Sequence, residues 1–265
     1  MKKLSDISTK NRKQELINYL KGKKYDEYVD TLEDMLKDPK SKSLIEDGFG
    51  GDLGNIQLKY SIQNISVKKL LPTQNEIGLD SSLKHGLTDI NKVKLYFSNQ
   101  PLVIKHPLVT FNGVYIIDGH HRWSEALCFN PNAKMVCLNY DGDMTPIQML
   151  KATQGAIAAS LGEIPVSKRK GSNIYDCTKN EIKKYIEEHI TNEVIDEFKY
   201  YTKLKSKNEI IDYILENCIE LINDHPTLKY APERHIMPQA NKAGSPNDKD
   251  SALHKMKNDK VLKVK

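Results

Sequence analysis

The stretch Val114-Tyr-Ile-Ile-Asp-Gly-His-His-Arg-Trp-Ser-Glu-Ala-Leu127 admits few local structures. Val114, Ile116 and Ile117 are β-branched and favour an extended strand. Asp118-Gly119 is a turn signal, and Trp123, Ala126 and Leu127 recur at the i, i+3, i+4 spacing of a buried helical stripe. The expected order is strand, tight turn, helix, with His120, His121 and Arg122 at the helix N-terminus. Such an end carries unpaired N–H groups and the positive pole of the helix dipole, and a glycine lets a ligand come close to the backbone. Arg122 adds a forked cation suited to phosphate, and two imidazoles can donate to it. The same residues also suit a structural role, with Gly119 ending a strand and Arg122 paired to Asp118 or Glu125.

The wider pattern is Pro107-Leu-Val-Thr-Phe-Asn-Gly-Val-Tyr-Ile-Ile-Asp-Gly-His-His-Arg-Trp-Ser-Glu-Ala126. It resembles the ParB/sulfiredoxin superfamily, whose members carry a Pro-Leu-Val strand, a turn, a second strand and a Gly-x-(His/Arg)-Arg turn entering a helix. The resemblance covers about residues 60 to 160. It implies an α+β fold class: a ParB/sulfiredoxin-like core over 58–165 with helical N- and C-terminal extensions. It also implies a bound nucleotide (ATP, ADP or CTP, possible with Mg2+) whose phosphates lie at Gly119, His120, His121 and Arg122. In ParB-like proteins the segment after the first strand helps to close the pocket, which makes Thr73, Gln74 and Glu76 candidates by position; a plain polar loop is the alternative.

Departures from the family narrow the chemistry. Sulfiredoxins place a catalytic cysteine directly before the His-Arg of this turn, and here that position is His120. Reduction of a sulfinate through that thiolate is excluded. ParB-type partition proteins bear a Glu-Asn pair in the next helix that holds the metal of bound CTP, where this chain reads Gly155-Ala-Ile-Ala158. A third branch comprises kinases that phosphorylate free serine and use a carboxylate as base. By that likeness the catalytic candidates are Glu76, Asp118 and His121, with no residue assigned to a metal. Catalysis there would come from positioning and from charge stabilisation of the transferring phosphoryl group.

The composition, 38% apolar and 28% charged, fits a soluble, cytoplasmic chain. No apolar run approaches the length of a membrane span, and Met-Lys-Lys-Leu-Ser-Asp turns polar at once where a signal peptide would turn apolar. A net charge of +5 permits a nucleic-acid partner without demanding one. Cys128, Cys137, Cys177 and Cys218 are scattered without a Cys-x-x-Cys pair, which points to reduced thiols and away from zinc.

Residues 1–57 form an expected N-terminal arm: apolar positions from Leu16 to Leu36 suggest amphipathic helices, and the glycines of 47–54 a linker. In the core, Ile65–Leu71 is expected as a strand, a helix runs through Leu83, and strand material lies at Leu102–Lys105 and Pro107–Phe111. Asn112-Gly113 makes a hairpin turn, and Met135–Tyr140 is a further strand. Thr145-Pro146 opens a helix to Leu161, with Ile147, Leu150, Ile157 and Leu161 toward the core.

Within 173–225, Thr178-Lys-Asn-Glu-Ile-Lys-Lys-Tyr-Ile and Ser206-Lys-Asn-Glu-Ile-Ile-Asp-Tyr-Ile nearly repeat each other. Each opens with a capping box, Ser or Thr followed three residues on by Glu. Two paired helices are expected, for packing or homo-oligomerisation. Between Thr178 and Asp224 stand 11 acidic and 7 basic residues, a balance that repels a phosphate backbone. Residues 226–265 form a basic polar tail.

Two readings of function follow. One is a nucleotide-dependent phosphotransferase or NTPase acting on a small-molecule or nucleic-acid acceptor. The other is a non-catalytic ParB-like DNA-binding or protein-interaction module. Any nucleic-acid contact is expected to be weak, non-specific and carried by Lys168, Arg169 and Lys170 and the tail, and no membrane contact is expected.

Overall fold

The computed structural model describes residues 59–98, 100–104, 107–161, 171–234 and 237, with isolated helical positions at Glu27, Asp30, Asp34 and Lys37 and without the side chains at 60, 98, 152 and 155–161. The expected linker at 47–54, most of the helical arm, Lys168–Lys170 and the tail beyond 237 lie outside the described residues. The described chain is mixed α+β. In order it forms β1 (Lys59–Ser66), β2 (Leu71–Pro72), α1 (Leu79–Thr88), α2 (Ile90–Ser98), β3 (Leu108–Phe111), β4 (Tyr115–Asp118), α3 (His120–Phe129), β5 (Lys134–Asp141), α4 (Pro146–Leu161), α5 (Lys179–His189), α6 (Asn192–Tyr201) and α7 (Lys207–Asp224). The strands make one sheet in the order β1-β5-β3-β4-β2.

Two compact units divide the chain: Ile62–Asn139 with Arg169–Lys229, and Met1–Ser61 with Tyr140–Lys168 and Tyr230–Lys265. In the first unit β3 and β4 form the hairpin. Asn112 and Gly113 take φ of 51° and 67°, a backbone that Asn and Gly tolerate, and Val114 N–H closes the turn onto the Phe111 carbonyl at 3.2 Å. Asn139 fixes the hairpin from outside, its Oδ1 accepting from Gly113 N–H at 2.8 Å and from the Thr110 hydroxyl at 3.0 Å. β2 runs parallel to β4, with Leu71 opposite Tyr115 and Pro72 opposite Ile116. Pro72 lacks an N–H, and its place in the last strand of the sheet is one where a missing donor is tolerated.

The strand expected over Ile65–Leu71 stops at Ser66, and a single 3-10 turn covers Val67–Lys69. Long-range bonds decide this: Val67 N–H reaches the Ala133 carbonyl at 3.0 Å, and the Val67 carbonyl accepts from Trp123 Nε1 at 2.9 Å. Both groups are therefore spent off the sheet, and the turn re-aims the chain into β2.

The helix α3 is the centre of this unit. Trp123 through Phe129 are all buried, including the polar Ser124 and Glu125, so burial extends beyond the apolar stripe to the whole circumference. Gly86 of α1 lies against the Phe129 ring so closely that a Cβ there would stand 2.4 Å from it. The helix α7 packs on α3 and α5, with Asn217 Nδ2 donating to the Cys128 carbonyl at 2.9 Å, and α2 meets α6 through an edge-on Phe97–Phe198 pair at 5.4 Å. Both expected capping boxes form, at Thr178 with Glu181 and at Ser206 with Glu209. Ile182, Ile186, Ile210 and Ile214 turn inward on the resulting helices, whereas Tyr185 and Tyr213 are half-buried.

In the second unit α4 opens as the sequence indicates. Gln148 N–H donates to Thr145 Oγ1 at 3.2 Å and Thr145 N–H to Gln148 Oε1 at 2.9 Å, a reciprocal cap. Leu150 is buried and Ile147 half-buried.

Candidate functional site

The turn between β4 and α3 is built on Gly119, whose φ of 99° is a left-handed conformation that a side chain resists. A Cβ at this position would stand 2.4 Å from Leu108 Cδ2 and 2.8 Å from Arg122 Nη2. Glycine is needed on both counts. Gly119 is the N-cap of α3 and supplies no side-chain acceptor to the first turn. Trp123 N–H makes the first helical bond to the Gly119 carbonyl at 3.0 Å.

Arg122 folds back over this glycine and donates from Nη2 to Asp118 Oδ2 at 2.7 Å, one helical turn away. The pair is partly exposed, at 28% and 23%, so its own stabilisation is small, on the order of 0–1 kcal/mol. Its effect is to orient the guanidinium. Arg122 Nε is buried and has no hydrogen-bond partner, which leaves one donor of the fork unspent.

Opposite the turn lies the segment 73–78, and here the two histidines act. Thr73 N–H donates to His120 Nε2 at 3.0 Å, and Gly78 N–H donates to His121 Nε2 at 3.1 Å. A ring nitrogen that accepts an N–H carries no proton, so both imidazoles stand in this arrangement as the neutral tautomer protonated at Nδ1. Each Nε2 is thereby committed to the backbone, and a donor to a phosphate would have to be Nδ1.

The Thr73 hydroxyl adds a bond to the Ile116 carbonyl of β4 at 2.5 Å. The Ser82 hydroxyl donates to the Gly78 carbonyl at 2.8 Å, which leaves the 2.7 Å contact between Ser82 and Ser124 to the Ser124 proton. Thr73, Gln74 and Glu76 are buried, Glu76 to 7% exposure, and Gln74 Nε2 donates to the Glu76 carbonyl at 2.7 Å. Three polar side chains buried in one short loop are costly unless their groups are met, so the loop is held in a defined shape.

The structure thus brings Thr73 beside His120, and the loop that carries Gln74 and Glu76 to the same helix end as Gly119, His121 and Arg122. Asp118 is engaged by Arg122. Sequence reasoning passed over Asn173, which binds this loop from the far side: its Oδ1 accepts from Ile77 N–H at 3.0 Å, and its Nδ2 donates to the Asn75 carbonyl at 3.2 Å. Ser82 and Ser124 were missed too. Their serines carry no local signal, since the hydroxyls meet only once α1 lies on α3.

No protein-family model, curated protein or solved structure matches this chain.

The chemistry open to the site is therefore read from its own groups. All four cysteines are free thiols, and burial pushes Cys137 up to about 12 and raises Cys177. Cys128 is raised by its hydrogen bond with the neighbouring thiol of Cys218, 3.5 Å away, and by full burial. None of these environments favours a thiolate nucleophile. Among the described residues no group of three His, Cys, Asp or Glu side chains is placed to hold a metal ion, and no helix is long and apolar enough to cross a membrane.

Proposed function

We propose that the chain is a nucleotide-binding protein of the ParB/sulfiredoxin kind, holding ATP, ADP or CTP with the phosphates at Gly119–Arg122. The observation that carries this reading is the α3 N-terminus: a left-handed glycine without a side-chain cap, beside an arginine whose Nε has no partner. Backbone donors and an unspent guanidinium donor at one helix end suit a phosphate group. The buried polar loop at 73–78, latched across this end by His120 and His121, supports the reading by offering polar side chains to the remainder of the ligand.

The reaction, on this reading, is phosphoryl transfer or hydrolysis. Glu76 or Asp118 serves as the base or metal-holding carboxylate, since an activating group must reach the nucleophile. Mg2+ brought in with the nucleotide would be met by Glu76 or Asp118 and would offset the charge of the phosphates. The chain's own part is to orient: His120 and His121 hold the loop, and Arg122 with the first turn of α3 fixes the phosphates.

Isothermal titration of the full chain against ATP, ADP, CTP and GTP, with and without Mg2+, tests the proposal. Arg122→Ala should weaken the bound nucleotide by roughly 1.5–3 kcal/mol, the worth of a charge-assisted bond. Unchanged affinity in that variant would sink the placement. Absence of binding for all four nucleotides would turn the reading toward a non-catalytic DNA-binding or protein-interaction module.

A further inference from the structure

We infer that Asn173 is a positioning residue of the candidate site, a clamp that sets the loop carrying Gln74 and Glu76 against the N-terminus of α3. The inference rests on the nucleotide reading above and deepens it.

Asn173 is buried, and both ends of its amide are used on that loop. Oδ1 accepts from Ile77 N–H at 3.0 Å, and Nδ2 donates to the Asn75 carbonyl at 3.2 Å, so the amide grips the main chain on both sides of Glu76. Backbone bonds continue the grip. Ile174 N–H donates to the Ile77 carbonyl at 2.8 Å, Leu79 N–H donates to the Ser172 carbonyl at 2.9 Å, and Gly78 and Asn173 form an antiparallel bridge. The histidines hold the loop at Thr73 and Gly78, and Asn173 holds the stretch between them. The loop is thus fixed from two directions by residues far apart in sequence. The amide of asparagine carries the acceptor that Ile77 N–H needs and the donor that the Asn75 carbonyl needs on one planar group.

Asn173 also has a local duty, as the N-cap of the 3-10 turn Ile174–Asp176. That duty and the proposed one separate on substitution. Serine caps a helical turn well, but its hydroxyl is too short to span Ile77 N–H and the Asn75 carbonyl. Asn173→Ser therefore keeps the cap and removes the clamp.

The experiment uses the full-length chain and follows amide hydrogen exchange at Ile77 and Gly78 together with titration of ATP and CTP in the presence of Mg2+. Ile77 loses its acceptor directly, so the informative amide is Gly78, whose acceptor is His121 and not Asn173. In Asn173→Ser both amides should exchange at least about tenfold faster, and nucleotide affinity should fall by about tenfold, the effect of losing one or two hydrogen bonds. Gly78 protection equal to wild type, or an unchanged affinity in a chain that binds nucleotide, overturns the inference. If wild type binds neither nucleotide, the reading under Proposed function is what fails, and Gly78 protection alone then decides the clamp. Should Asn173→Ser fail to fold, Asn173→Asp decides in its place. It keeps the acceptor for Ile77 but sets a carboxylate against the Asn75 carbonyl and Asp176, so Gly78 should again exchange faster, and unchanged protection overturns the inference.

Discussion

Gly78 donates its backbone N–H to Nε2 of His121 at 3.1 Å, across 43 residues of sequence. With the matching bond from Thr73 to His120, two adjacent imidazoles at one helix end hold both ends of the loop that carries the buried carboxyl of Glu76. Neighbouring histidines on a basic turn invite a reading as phosphate ligands alone. Here their ε nitrogens serve the backbone first, and any contact with a ligand is made from side chains already fixed in place.

The two latches should differ in strength. Thr73 is fully buried, so His120→Ala leaves a donor with no water to replace the imidazole, a loss of about 1–3 kcal/mol. Gly78 is only partly buried, and His121→Ala should cost about 0.5–1.5 kcal/mol. Urea unfolding of both variants measures the difference. Equal losses would show that the burial of the donor does not govern the latch.

Glycine to alanine should destabilise at two positions for different reasons. At Gly86, inside α1, alanine ordinarily gains about 1 kcal/mol in helix propensity, but its Cβ would meet the buried Phe129 ring at 2.4 Å. Overpacking of this kind costs about 1–3 kcal/mol, so the net effect is a loss. At Gly119 the cost is backbone strain at φ 99° plus collision with Leu108 and Arg122, and Gly119→Ala should also disturb the Asp118–Arg122 pair. Thermal melts check both signs. Stabilisation by Gly86→Ala would mean that α1 and α3 part easily.

Acid should weaken the C-terminal helices through their caps. The Glu181 carboxyl is held below the usual glutamate range by hydrogen bonds from the Thr178 backbone N–H and hydroxyl, and Glu209 likewise by the Lys205 and Ser206 backbone N–H groups. A carboxyl whose folded-state value is depressed adds stability that is present above its unfolded value and is lost as pH falls through the folded one. The loss therefore begins near pH 4.5, the ordinary glutamate value, and continues below it. Replacing both residues with glutamine should flatten the acid limb of a stability–pH curve. A curve of the same steepness in the double variant would place the acid sensitivity elsewhere.

The parts of the fold that were legible in sequence are those decided within a few residues. The Asn112-Gly113 hairpin, the Asp118-Gly119 turn into a helix and the boxes at Thr178 and Ser206 each carry their cause locally, in φ preference or in a hydroxyl three residues from an acceptor. The helices α2 and α6 were passed over although signals exist: Asp89 caps Asn91 N–H at 2.9 Å, and Thr191 precedes Val194, Ile195 and Phe198 at buried helical spacing. What could not be read is the site's partnership. Which imidazole nitrogen bears the proton depends on Thr73 and Gly78, and the role of Asn173 depends on a loop 96 residues earlier. Arg122 left open both an anion and a carboxylate partner, and the geometry gives it Asp118 while keeping Nε unspent.

That last arrangement separates the two candidate carboxylates. Asp118 balances the charge of Arg122 at 2.7 Å, directly beside the proposed phosphate position, so its negative charge works against an anion. Asp118→Asn removes that charge while keeping an oxygen that can accept from Nη2. Nucleotide affinity should therefore stay level or rise, by about 0.5–1 kcal/mol as expected for a partly screened charge. Glu76 is buried in the loop, and Glu76→Gln keeps its shape while removing its charge, so the variant should leave binding nearly unchanged and abolish any phosphoryl transfer or hydrolysis. The two variants make opposite patterns, and titration with a coupled phosphate-release assay reads both. Turnover retained in Glu76→Gln but lost in Asp118→Asn would reverse the assignment, and turnover retained in both would remove a carboxylate base from the mechanism.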